Sequence, residues 1–119
     1  MYWSFTDSLV KTKKSGLMLR QVPIFCGHLG DIVYYDGKIY GSVMGDALKG
    51  TLWCDWISFE IHVFDAATLA LEKVIRLEEC YGMHVSGENG FLGIDGITVL
   101  PKTENAPARL LVASALLSG

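Results

Sequence analysis

The side chains of this sequence that could do chemistry sit in polar, glycine-rich stretches. His28 lies between Gly27 and Gly30, with Asp31 three residues on; His84 stands ahead of Val-Ser-Gly-Glu-Asn, and Asp95 opens the later stretch DGITVL. Imidazole and carboxylate are donors that hold a divalent cation or carry protons. His28, Asp31, His84 and Asp95 are therefore the candidate metal-ligating set, and a divalent metal ion is the candidate cofactor. Each has a structural alternative. An aspartate ahead of a strand commonly caps a turn by accepting backbone N–H groups, and a histidine among glycines is ordinary exposed-loop chemistry. Trp53 and Trp56 flank Cys54 and Asp55, and their indoles either stack on a ligand or cover a sheet edge. His28, Trp53, Asp55, Trp56 and His84 are thus the candidate ligand-binding residues.

Other chemistries find no footing. GENGFLG at 87–93 has no following Lys-Ser/Thr, so it is not a phosphate loop, and no GxSxG elbow occurs. Cys54 has no identifiable histidine partner in the sequence, which argues against a covalent nucleophile. Cys26, Cys54 and Cys80 are scattered, odd in number and in no CxxC spacing, against both a disulfide framework and a structural zinc site.

Composition bounds the class. With 119 residues, half of them apolar, the chain can bury a core and should fold as one domain or part of one. A net charge of -3 and no basic run beyond Lys11, Lys13 and Lys14 give no footprint for nucleic acid. No apolar run approaches the roughly 20 residues of a membrane span, and residues 1–16 do not read as a signal peptide. Nucleic acid and membrane are therefore not expected as partners.

These residues need elements to hold them, and the punctuation of the chain points to strands. Turn signals recur at Ser15-Gly16, Asp36-Gly37, Gly45-Asp46, Asn89-Gly90 and Asp95-Gly96, with short runs rich in Val, Ile, Tyr and Leu between them. DIVYYD and KIYGSVM, hinged at Asp36-Gly37, read as a hairpin. Helix propensity favours residues 65–80 (DAATLALEKVIRLEEC) and 108–117, but an internal comparison favours strands. Laid without gaps, residues 8–24 match 61–77, pairing Val10 with Val63, Met18 with Leu71, Val22 with Ile75 and Ile24 with Leu77. The matches alternate with period two, and the first copy holds Gly16 and Pro23, which suit no helix. A looser echo sets Asp31 and its hairpin against Asp95 and the strands after it. The expectation is all-β: antiparallel four-stranded sheets like propeller blades, with 1–24 an outer strand pair, 25–80 one full unit and 81–119 the inner pair of the next.

IHVFDAATLALEKVIRL resembles the outer strand pair of β-propellers of the YncE, NHL and SMP-30-like kind. GDIVYYDGKIYGSV and the stretch IDGITVLP through ARLLVASAL resemble the inner pairs of such blades. The resemblance implies a β-propeller fragment or partial propeller, since a closed ring takes about four blades or more. It implies that the loops leading into inner strands share one face, which would gather His28, Asp31, His84, Glu88, Asp95 and the 45–59 loop. The function expected is a binding or scaffold module for a small molecule or protein ligand. The alternative is a metal-dependent hydrolase or lactonase of the SMP-30-like kind; a third reading is a fragment with no activity of its own. Open sheet edges make self-association a further expectation.

Overall fold

A computed structural model describes residues 1–24, 27–44, 59–76 and 91–117, with backbone alone at 44, 59, 91–95 and 113–117. Their regular structure is all strand, in antiparallel ladders. The first sheet runs β1 (Tyr2–Phe5), β2 (Ser8–Thr12), β3 (Met18–Pro23); the central sheet runs β4 (His28–Tyr35), β5 (Lys38–Met44), β6 (Phe59–Asp65), β7 (Leu71–Arg76). The third pairs β8 (Phe91–Leu100) with β9 (Arg109–Leu117). Among the described residues no helix is long and apolar enough to cross a membrane.

Local chemistry explains these choices. Asp36 and Gly37 both adopt positive φ, 48° and 78°, the two-residue turn whose twist matches the strands it joins. The segment from 65 onward forms a strand end, a turn and β7 because Asp65 spends its cap on the turn. Its Oδ1 accepts the N–H groups of Ala67 and Thr68, each at 2.9 Å, and the Thr68 hydroxyl at 3.1 Å. Leu69 takes φ 60° there, held by its N–H on the Asp65 carbonyl at 2.8 Å and by a side chain buried in the core. Arg109–Leu117 is likewise a strand, laddered along β8 from Leu100↔Arg109 to Phe91↔Leu117.

Two elements depart from the expectation. β1 gives residues 1–24 a third strand, pairing Tyr2↔Lys11 through Phe5↔Ser8. β4 begins at His28, three residues earlier than the DIVYYD run suggested.

The sheets stack in layers, and the alternation of side chains along each strand decides what lies between them. Leu9 of β2 and Ile24 meet Leu29, Ile39, Val43 and Phe64 of the central sheet in one buried cluster, with Tyr2, Val22 and Ile32 packed at its margin. Tyr2 stacks on Tyr34 with ring centroids 6.1 Å apart. Hydrogen bonds sew the layers together at the 66–68 turn. The Tyr2 hydroxyl donates to the Ala66 carbonyl at 2.7 Å, Lys11 Nζ to Ala67 at 3.1 Å, and Arg20 Nη1 to Thr68 at 2.7 Å. The opposite face of the central sheet looks toward β8, where Ile97 is buried and the Lys102 N–H donates to the Tyr35 hydroxyl at 3.1 Å.

Candidate functional site

The site expected from the sequence starts where β4 and β8 begin. In the β4–β5 ladder the register slips between Leu29 and Ile32, so Gly30 and Asp31 form a bulge. In the β8–β9 ladder it slips between Ile94 and Gly96, which places Asp95 in a bulge as well. Bulges re-aim side chains, and here the result is visible at Asp31. One carboxylate oxygen accepts the N–H of Ile32 at 3.0 Å; the other accepts the N–H of Ile97, across in the third sheet, at 3.4 Å. The Ser42 hydroxyl, wholly buried, accepts the Asp31 N–H at 3.1 Å and lies 3.4 Å from its carbonyl as donor.

Asp31 is thus engaged as a clamp between two sheets. His28 opens β4 opposite Met44 and is half-buried. The Asp31 carboxylate reaches the backbone two residues past Asp95, so the strand segments carrying Asp31 and Asp95 are neighbours. The side chain of Asp95, and Trp53, Asp55, Trp56, His84 and Glu88 altogether, lie outside the described residues. Among the described residues no three His, Cys, Asp or Glu side chains come together as a metal site.

A second polar cluster went unread in the sequence. Glu60 and His62 alternate along β6 on the face that meets the first sheet, and both are buried. His62 Nε2 lies 3.2 Å from Glu60 Oε1, and Arg76, opposite Glu60 on β7, brings its Nε to 3.3 Å from Oε2. The His62 ring tilts against Phe64 at 6.1 Å. Burial of a carboxylate is tolerable when it is paired and hydrogen-bonded on both oxygens, as Glu60 is. The signal was the run FEIHVFD itself: strict alternation sets Glu and His in line with Phe64, on a strand flanked by partners on both sides.

Among the described residues two titrations are moved by their surroundings. Hydrogen bonds from Thr68, first its N–H and then its hydroxyl, hold the Asp65 carboxyl below its usual value. The hydrogen bond to Glu72 holds Lys38 above its usual value; the pair is an exposed ion pair linking β5 and β7.

Comparison with protein-family models, curated proteins and solved structures finds no match. The geometry alone therefore carries the reading of the site.

Proposed function

We propose that the chain is a propeller-type binding or scaffold module, whose ligand meets the rim where β4 and β8 begin. The observation that carries this reading is that the ladders of the sheets coincide pair for pair. Tyr2↔Lys11, Ser4↔Leu9 and Leu9↔Val22 in the first sheet correspond to Tyr40↔Val63, Ser42↔Ile61 and Ile61↔Ile75 in the central one. Tyr2-Trp3-Ser4-Phe5 thereby falls on Tyr40-Gly41-Ser42-Val43. Ile32↔Gly41 of the central sheet corresponds to Ile97↔Val112 of the third, each just past an aspartate bulge. Layers built to one plan, each covering the next, are what a propeller or solenoid repeats.

In that plan Asp31 falls on Gly96 rather than on Asp95, and its role is architectural, since it spends its carboxylate on two backbone N–H groups. This supports binding or scaffolding ahead of metal-dependent hydrolysis. Thermal unfolding with Ca²⁺, Mn²⁺ or Zn²⁺ tests it, because an ion bound only by the folded state raises the midpoint. The expected result is no rise with any of the three. A rise that disappears in both His28→Ala and Asp31→Ala would replace this reading with the metal-dependent one. The positive counterpart is a small-molecule and peptide screen by amide NMR, with shifts expected around Gly27, His28 and Gly30; shifts confined to other surfaces would move the site.

A further inference from the structure

The layer order leaves one face of the first sheet with no cover among the described residues. Trp3 and Phe5 of β1, Val10 and Thr12 of β2, and Met18 and Gln21 of β3 line a shallow groove there. Phe5 holds the position that Val43 holds in the central sheet, since each is opposite the matching residue of the next strand, Ser8 and Glu60. Val43 is 0% exposed beneath the first sheet, whereas Phe5 is 54% exposed. At the other end, the face of the third sheet turned away from Ile97 carries Thr98, Leu100, Arg109 and Leu111. Their counterparts in the central sheet, Val33, Tyr35, Lys38 and Tyr40, lie on the face that the third sheet covers. Leu111 is 55% exposed.

The two faces left uncovered among the described residues are therefore the two halves of an interface that this chain already makes twice within itself. We propose that the β1–β3 face of one copy docks on the outer β8–β9 face of a second copy, head to tail, continuing the stack. The two faces differ, so the contact is heterologous and builds rings or runs of copies rather than an isologous dimer. Trp3 is the pre-set anchor: its Nε1 donates to the Thr12 hydroxyl at 3.0 Å, which fixes the indole before a partner arrives. The exposed Trp3, Phe5 and Met18 on one face and Leu100 and Leu111 on the other give the contact its drive. The inference rests on the matched ladders above and is independent of any ligand at the rim, so a failed ligand screen leaves it intact.

Sedimentation or light scattering over a concentration series reads the outcome, with circular dichroism showing that each variant folds. Wild type is expected to exceed the mass of one chain as concentration rises. Phe5→Asp disables one face and Leu111→Asp the other, so each alone is expected to remain a monomer. Mixed in equal amounts, they are expected to form a one-to-one dimer, because each supplies the face that the other lacks. Met18→Asp serves as a second variant of the first face if Phe5→Asp does not fold. A wild type that stays monomeric, association unmoved by either substitution, or a mixture that stays monomeric would each overturn the proposal.

Discussion

The carboxylate of Asp31 joins two sheets: one oxygen accepts the N–H of Ile32 beside it, and the other the N–H of Ile97 in the neighbouring sheet. Removing an acceptor leaves both donors without their protein partner, although Asp31 is exposed enough for water to replace part of the loss. Asp31→Ala is expected to destabilise the fold by about 1 kcal/mol in urea unfolding, and Asp31→Asn, which keeps one acceptor, by less. Amide exchange at Ile97 should quicken in the Ala variant. Unchanged exchange there would show that the carboxylate does not hold the third sheet.

The Glu60, His62 and Arg76 cluster makes a different forecast, because Glu60 is buried. Glu60→Ala strands the His62 imidazole beneath the first sheet and is expected to cost about 2–3 kcal/mol. Glu60→Gln retains a neutral acceptor for His62 and should cost less. Arg76→Met leaves one side of the cluster to solvent and should cost least, since the Arg76 side chain is about half exposed. The ranking is read from chemical denaturation of the three variants; an Arg76 loss as large as that of Glu60→Ala would contradict it.

The parts of the fold legible in the sequence are those fixed by local chemistry. Asp36-Gly37 announces its hairpin because few other pairs accept positive φ at two successive positions. The match of 8–24 with 61–77 identifies the strands, yet slips by one along the first of them. Val22 and Ile75 face Leu9 and Ile61 across the ladders, so the strand partner of Val10 corresponds to that of His62 rather than of Val63. The turn after Asp65 is one residue longer than its counterpart, and no gapless comparison can absorb that. β1 was illegible because four residues, YWSF, are too few to show a period. Asp31 was legible as a capping residue; its reach to Ile97 depends on a bulge and on a second sheet, neither of which has a local signature.

Gly41 is open to a sharper test. A Cβ placed there would lie 2.7 Å from Cδ1 of Leu29, a core side chain only 2% exposed. Leu29, opposite Val43 on the neighbouring strand, reaches over Gly41, and the surrounding cluster leaves it little room to yield. Gly41→Ala is expected to destabilise by about 1–3 kcal/mol, the usual range for overpacking. Leu29→Ala should also destabilise, by roughly 2–4 kcal/mol. The double variant should lose less than the two combined, because the added methyl fills space that Leu29 vacates. Strict additivity in the cycle would show that the two positions do not touch.

Asp65 sets the acid limit of the β6–β7 turn. Its carboxyl is held below the usual value of 3.8 by the N–H of Thr68 first, then by the Thr68 hydroxyl, with the Ala67 N–H and Lys38 adding smaller shares. A group whose folded value is depressed binds protons more readily when unfolded. Its stabilising effect is therefore present in full above the ordinary carboxylate range and is lost as pH falls through the lower folded value. Unfolding measured from neutral pH downward should accordingly steepen below about pH 4 in wild type and flatten in Asp65→Asn. Thr68→Ala removes the hydroxyl but keeps the N–H, so the Asp65 titration followed by carboxyl NMR should move part of the way up toward its ordinary value. An Asp65 titration identical in wild type and Thr68→Ala would mean that the hydroxyl does not reach the carboxylate in solution.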